Sequence, residues 1–372
     1  MTGNLRPFNI CVPQAKLARI AAKLALSEGS YAPADDAQWR YGTDARWLAS
    51  LLEHWRSAYD WRRCERALNS WPHFTARIED IDVHFIHVRG RSGGKQVPIL
   101  LTHGWPGSVL EFLGVIEPLS AQGFDLVIPS LPGYGFSSRP PAPIGPKRVA
   151  ELWRALMTDV LGYSRFGAQG GDWGSAVTTW LGRAHSDVVA GIHLNLLPAP
   201  APAPEESDDA EIQAYRREHA AVVAGASAYA MEHATKPQTI GLALADSPLG
   251  FAAWVCEKFH GWGDTRGNIE SRFSKDLLLD NIMIYLVNDA VQSAIWMYRS
   301  LLTEGFSEGG RVEVPTACAL FPAEFIPYPP RRLAERAFNI VRWTRMPAGG
   351  HFAAMEEPAA FAADAAAHFA SL

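Results

Sequence analysis

The chain has 372 residues, 48% of them hydrophobic and 20% charged, with a formal net charge of −5. That length and composition can bury a large core, exclude a disordered protein, and suit one main domain carrying an extension or an insertion. Lys and Arg are scattered instead of gathered in a stripe, so nucleic acid is not an expected partner.

The first signals in chain order are helical. Leu17, Ile20 and Leu24 recur at helical spacing within Pro13 to Leu26, and Trp47, Leu51, Leu52 and Trp55 do so in a second, Trp-rich helix. Met1 to Ile10 lacks a charged segment followed by an apolar one, and no run approaches the roughly 18 apolar residues that span a bilayer. Cys11, Cys64, Cys256 and Cys318 lie far apart without metal-ligand spacing. A cytoplasmic protein with reduced thiols and no membrane span is the expectation.

Ile81 to Val88 alternates as a strand, Gly90 to Gly94 reads as a turn, and Val97 to Leu101 and Phe124 to Pro129 are apolar runs typical of buried parallel strands. Tyr163 to Ala168 is a further short strand. Helix candidates at Ser108 to Leu119 and Lys147 to Leu161 alternate with these strands, which argues for an α/β fold with a mainly parallel central sheet. Pro198 to Asp209 crowds proline, alanine and acidic residues as a surface linker does. From there to about Ser307 strand signals are almost absent, and Gln213 to Ala224, Pro248 to Phe259 and Asp280 to Leu302 read as helices of an insertion over the sheet. Val314 to Phe321 restores a strand, and Pro358 to Leu372 a packing helix.

Chemistry concentrates at Gly170-Gly171-Asp172-Trp173-Gly174, where the small-x-nucleophile-x-small frame of a strand-to-helix elbow carries aspartate in the position that usually holds serine. Ala176 to Gly182 reads as the opening of the following helix. A carboxylate at such a turn attacks saturated carbon, opening an epoxide or displacing a halide, and leaves an alkyl ester for water to hydrolyse. The plain alternative is an ordinary turn in which Asp172 caps the next helix.

His103 to Ser108 follows the strand ending at Leu101, and such a turn can aim a backbone N–H into the crevice. A second N–H would come from Trp173, directly after the nucleophile, so that the pair stabilises an oxyanion. His351, set among Gly349, Gly350 and Phe352, comes last in the order nucleophile, acid, histidine, which is the order of the α/β-hydrolase fold. It would act as general base for the hydrolytic water. Glu324 follows the penultimate strand and suits the orienting acid. Glu313 precedes that strand, and Glu356 and Glu357 look like helix-start charges beside Pro358.

These segments resemble the microsomal-type epoxide hydrolases of the α/β-hydrolase superfamily, and the likeness covers nearly the whole chain. It is carried by His-Gly-Trp-Pro-Gly-Ser from His103, by Gly-Gly-Asp-Trp-Gly-Ser from Gly170, and by Gly-Gly-His-Phe-Ala-Ala from Gly349. The run from Tyr229 to Thr239, with Asp246-Ser-Pro and Glu257-Lys-Phe beyond it, adds to them. The resemblance implies an N-terminal helical extension over residues 1–75, a hydrolase core from 76–200 and 308–372, and a helical cap from 201–307. It implies Asp172 as nucleophile, His351 as base, Glu324 as orienting acid, and backbone donors at Trp105 and Trp173. It also implies two cap tyrosines that protonate the epoxide oxygen. Tyr229 matches the first by its context, and Tyr298 the second more loosely, with Tyr285 as its competitor. Two phenols with pKa near 10 stay protonated at neutral pH and suit a leaving alkoxide. An apolar epoxide and water are the expected partners, no metal or organic cofactor is called for, and a homodimer is left open. Membrane-bound members of the family carry an N-terminal anchor, and none is expected here. Competing readings are a haloalkane dehalogenase, which shares the aspartate nucleophile, and a non-catalytic protein that binds an apolar ligand on the same scaffold.

Overall fold

The computed structural model describes residues 5–29, 31–35, 38–91, 96–198 and 209–372. Strands β1 (Arg6–Phe8), β2 (His73–Ile78), β3 (Ile81–Val88), β4 (Ile99–Thr102), β5 (Leu126–Pro129), β6 (Phe166–Gly170), β7 (Val189–Leu194), β8 (Val312–Leu320) and β9 (Phe338–Arg345) make one sheet. Its order is β1-β2-β3-β5-β4-β6-β7-β8-β9. The pairs β1–β2, β2–β3 and β3–β5 are antiparallel, and every pairing from β5 across to β9 is parallel. Successive side chains on a strand point to opposite faces, yet Ile99, Leu100 and Leu101 are all fully buried, so both faces of the sheet centre are covered. Helices 113–121, 146–155, 172–184 and 358–369 alternate with these strands along the chain.

The helices between Ala210 and Leu302 lie over the C-terminal ends of the strands, held by hydrogen bonds to the loops that leave them. Asn281 Nδ2 donates to Pro106 O at 2.7 Å and Ser108 Oγ donates to Asn281 Oδ1 at 2.8 Å, both on the loop after β4. Ser293 Oγ donates to Gly133 O at 2.6 Å on the loop after β5. On the other side, Asp280 accepts from Tyr59 Oη at 2.8 Å and from Arg63 Nη2 at 2.8 and 2.9 Å, which joins the N-terminal helices to helix Lys275–Val287.

Several elements differ from the sequence reading. Residues 1–75 are not purely helical, because β1 and the start of β2 fall there and extend the sheet. Strand β7 went unread because Gly191 and His193 interrupt its apolar run, although all six of its residues are buried. The single helix expected over Asp280 to Leu302 is broken: helix 275–287 stops at Asn288, and Asp289 adopts φ +52°, a left-handed turn that Asp tolerates better than most residues. A short helix 291–294 and a 3₁₀ segment 296–302 follow. The helix read over Lys147 to Leu161 starts at Pro146 and widens into a π turn at 156–160. Most of the linker at Pro198 to Asp209, and part of the turn at Gly90 to Gly94, lie outside the described residues. The four cysteines are free.

Replacing Asp280 by Ala leaves Tyr59 and Arg63 without their shared acceptor and should cost about 1–3 kcal/mol of stability. A lowered urea midpoint with an unchanged slope is the expected result.

Candidate active site

The polypeptide leaves β6 at Gly170 and turns at once into helix Asp172–Ala184, four residues earlier than the sequence reading placed the helix. Asp172 itself has φ +48°, a left-handed conformation that costs a residue with a Cβ about 1–2 kcal/mol. The strain lifts its carboxylate clear of the strand and helix on either side. Close approach explains the flanking small residues: a Cβ at Gly170 would overlap the Gly174 carbonyl, and one at Gly174 would overlap the Thr102 carbonyl of β4.

Three loops at the C-terminal ends of β6, β8 and β9 bring Asp172, Glu324 and His351 together. His351 Nδ1 is 3.0 Å from both carboxylate oxygens of Glu324, so that nitrogen carries a proton and donates. Its Nε2 lies 3.3 Å from Asp172 Oδ2. The His351 and Glu324 side chains are 3% and 1% exposed, against 18% for Asp172. Burial opposes an imidazolium here, but the Glu324 and then the Asp172 charges outweigh it and raise His351 well above the ordinary histidine value. In the free protein the ring is therefore a cation held between two carboxylates.

The other Asp172 oxygen, Oδ1, accepts from the Trp105 N–H at 2.8 Å. Among the described residues, Trp173 N–H makes no comparable bond to the carboxylate, although it occupies the first turn of the helix. His103 in the same loop is structural: its Nε2 accepts from Leu131 N–H at 3.2 Å, and burial lowers it to about 4.

Glu356, read from sequence as a helix-start charge, has a different place. It is buried and accepts from the amides of Asp264 at 2.7 Å and of Gly350 and Phe352 at 3.0 Å, clamping the His351 turn to the helices above. His351 N–H adds a bond to Trp262 O at 3.0 Å. A long-range clamp of this kind has no local sequence signature.

Tyr229 and Tyr298 come from separate helical segments and meet over the elbow, their ring centroids 5.8 Å apart. Tyr229 stacks on Trp105 at 5.4 Å, and Tyr298 stands edge-on to Trp173 at 4.9 Å. Burial first, then Asp172 for Tyr229, and Tyr229 and Asp172 for Tyr298, raise both phenols well above their ordinary value, so both remain protonated donors at neutral pH. Tyr285 is elsewhere, its hydroxyl spent on the Gly107 carbonyl. Asp172, Tyr229 and Tyr298 line a cleft of about 920 Å³ whose walls include Leu197, Phe306 and Phe325.

With the geometry in place, comparison with known proteins decides the family. The epoxide hydrolase N-terminus family matches residues 5–112, and the alpha/beta hydrolase fold family matches residues 97–221. A putative epoxide hydrolase of Stigmatella aurantiaca is 40% identical over 96% of this chain and 83% of its own length. This chain belongs to the epoxide hydrolase family. Epoxide hydrolase 1 of Oryctolagus cuniculus is 34% identical over 89% of this chain and 81% of its own. The crystal structure of juvenile hormone epoxide hydrolase from Bombyx mori aligns with a TM-score of 0.92 at 28% identity, over 99% of this chain and 95% of that one. The Aspergillus niger epoxide hydrolase structure gives 0.87 at 32% identity, over 100% and 97%. The epoxide hydrolase described here has the α/β-hydrolase fold. Among its described residues no single helix is long and apolar enough to cross a membrane.

Because Glu324 is the foremost charge raising His351, Glu324→Gln should lower the pH at which that ring deprotonates. A histidine titration followed by NMR, read against the native protein, checks the direction; an unchanged midpoint would refute the electrostatic origin.

Proposed function

We propose that this epoxide hydrolase converts an apolar epoxide to a vicinal diol through an ester on Asp172. The observation that carries the reading is the imidazole of His351 closed between Asp172 and Glu324, with two protonated phenols above the same carboxylate. Residues 201–307 then act as a cap supplying Tyr229 and Tyr298 to a core formed by 76–200 and 308–372, with 1–75 as the extension.

In the first step an Asp172 oxygen attacks an epoxide carbon, the ring C–O bond breaks, and its electron pair goes to the ring oxygen, which takes a proton from the tyrosine pair. The ester has no charge, so His351 keeps only Glu324 as counter-ion and Nε2 gives up its proton more readily than in the free protein; that proton leaves through solvent, from which the tyrosine that protonated the ring oxygen regains its own. Alkylation of the nucleophile thus prepares the base. In the second step water transfers a proton to Nε2 as its oxygen bonds to the Asp172 acyl carbon. The Trp105 N–H, with the Trp173 N–H as a second donor, stabilises the tetrahedral oxyanion. Collapse breaks the bond to the alkyl oxygen, which takes the proton back and leaves as diol. Phenol donors suit an oxygen leaving group, whereas a halide needs no proton, and this favours epoxide over haloalkane. The apolar walls of the cleft favour an aryl or alkyl substituent.

Diol formation from styrene oxide, without added metal, tests the reading. Asp172→Ala should lose activity at least about 1000-fold. The Tyr229→Phe, Tyr298→Phe double variant should slow ester formation by about 10²–10⁴-fold, as expected for loss of general-acid catalysis. Turnover that survives Asp172→Ala would sink the mechanism. A separate expectation concerns pH: kcat should fall on the acid side as His351 in the ester becomes protonated, while kcat/KM, which needs only ionised Asp172 and protonated tyrosines, stays level through that range. Pre-steady-state pH profiles of the two steps distinguish these limbs.

A further inference from the structure

Asp172 lines two separate spaces. The first is the open cleft beneath Tyr229 and Tyr298; the second is a small chamber of about 10 Å³ bounded by Gly104, Glu111, Asp172, Asn195, His351 and Phe352, among others. That volume is about the room one water needs. Thr102 Oγ1, a buried polar atom on its lining, has no hydrogen-bond partner among the described residues, and His351 Nε2 has only its 3.3 Å contact with Asp172 Oδ2. Substrate reaches Asp172 from the cleft, so water is free to reach the ester carbon from the chamber.

We infer that Glu111 is the positioning residue for the hydrolytic water, its carboxyl oxygen accepting one O–H from a molecule whose other O–H points at His351 Nε2. This rests on the ester reading above. A water that attacks an acyl carbon must give one proton to the base and direct a lone pair at carbon, which leaves its second O–H to be fixed by an acceptor. Glu111 follows the His103–Ser108 turn directly, and a Cβ at Gly107 would overlap its Oε1, while a Cβ at Gly104 would overlap Asp172 Oδ1. Both carboxyl groups are thus pressed against one turn, the same turn whose Trp105 N–H holds Asp172.

Desolvation, partly offset by His351, pushes Glu111 up to about 8, so its carboxyl is neutral at neutral pH. A neutral group accepts an O–H through its carbonyl oxygen without adding a second negative charge to that of Glu324 while Asp172 is an uncharged ester. Glu111 makes and breaks no bond. The proton passes from water to His351 Nε2, the oxygen adds to the Asp172 acyl carbon, and the departing alkoxide recovers the proton.

Rapid-quench mass spectrometry of the full chain with styrene oxide separates ester formation from ester hydrolysis. Glu111→Met, close in size but without an acceptor, should leave ester formation within a few-fold of native while slowing hydrolysis about 100-fold, so that the aspartyl ester accumulates. Glu111→Gln, which keeps a carbonyl oxygen, should restore most of the hydrolysis rate. Native hydrolysis rates in Glu111→Met, or equal slowing of both steps, would overturn the inference. Should Glu111→Met fail to unfold cooperatively, Glu111→Ala is read in the same way. A native protein that turns over without any ester would overturn the aspartyl mechanism and this inference with it, whereas a native ester that decays normally in every Glu111 variant would overturn the role of Glu111 alone.

Discussion

Two carboxylates, Asp172 and Glu324, share one imidazole in a pocket with little access to solvent. Left unpaired there, either charge would be costly to bury, and the cation of His351 pairs with both. The arrangement is held by backbone groups as well as by charge: Trp105 N–H binds Asp172, Ile326 N–H binds Glu324 at 3.2 Å, and Trp262 O fixes the His351 amide. The residues lie far apart in sequence, so their geometry depends on the parallel register of β6 through β9, reinforced where Ala323 pairs with Gly350 between the last two loops.

The same low-dielectric surroundings shape the opposite side of the site. Burial and the charge of Asp172 work against ionisation of Tyr229 and Tyr298, so each phenol keeps its proton at neutral pH. Their rings pack on Trp105 and Trp173, the residues whose amides flank Asp172. Position and acidity therefore come from one aromatic cluster, and neighbouring helices of the 210–302 segment are fastened to the strand loops at Pro106, Gly133 and His351.

What could be read from sequence was what is local. The elbow around Asp172 is a short steric pattern, strand β3 alternates over its whole length, and the order Asp172, Glu324, His351 follows the loops of the sheet. Features set by tertiary contact were not legible. Strand β7 is buried on both faces despite Gly191 and His193, and the break at Asp289 depends on how helix 275–287 is capped. Glu356 reads as an ordinary helix-start charge and Glu111 has no distinguishing signal within the Ser108 to Leu119 helix candidate; only the packing of distant loops turns one into a clamp and the other toward a chamber. The convergence of Tyr229 with Tyr298, and the diversion of Tyr285 to Gly107, likewise follow from helix packing that no spacing rule conveys.

The most direct measurement is a single turnover of styrene oxide by excess protein in water carrying heavy oxygen. If an Asp172 ester is the intermediate, the first diol takes its new oxygen from the carboxylate and is unlabelled, and the heavy oxygen is recovered in the peptide containing Asp172. Heavy oxygen in the diol of that first turnover, with none in the peptide, would mean that water attacks the epoxide directly and would contradict nucleophilic catalysis by Asp172.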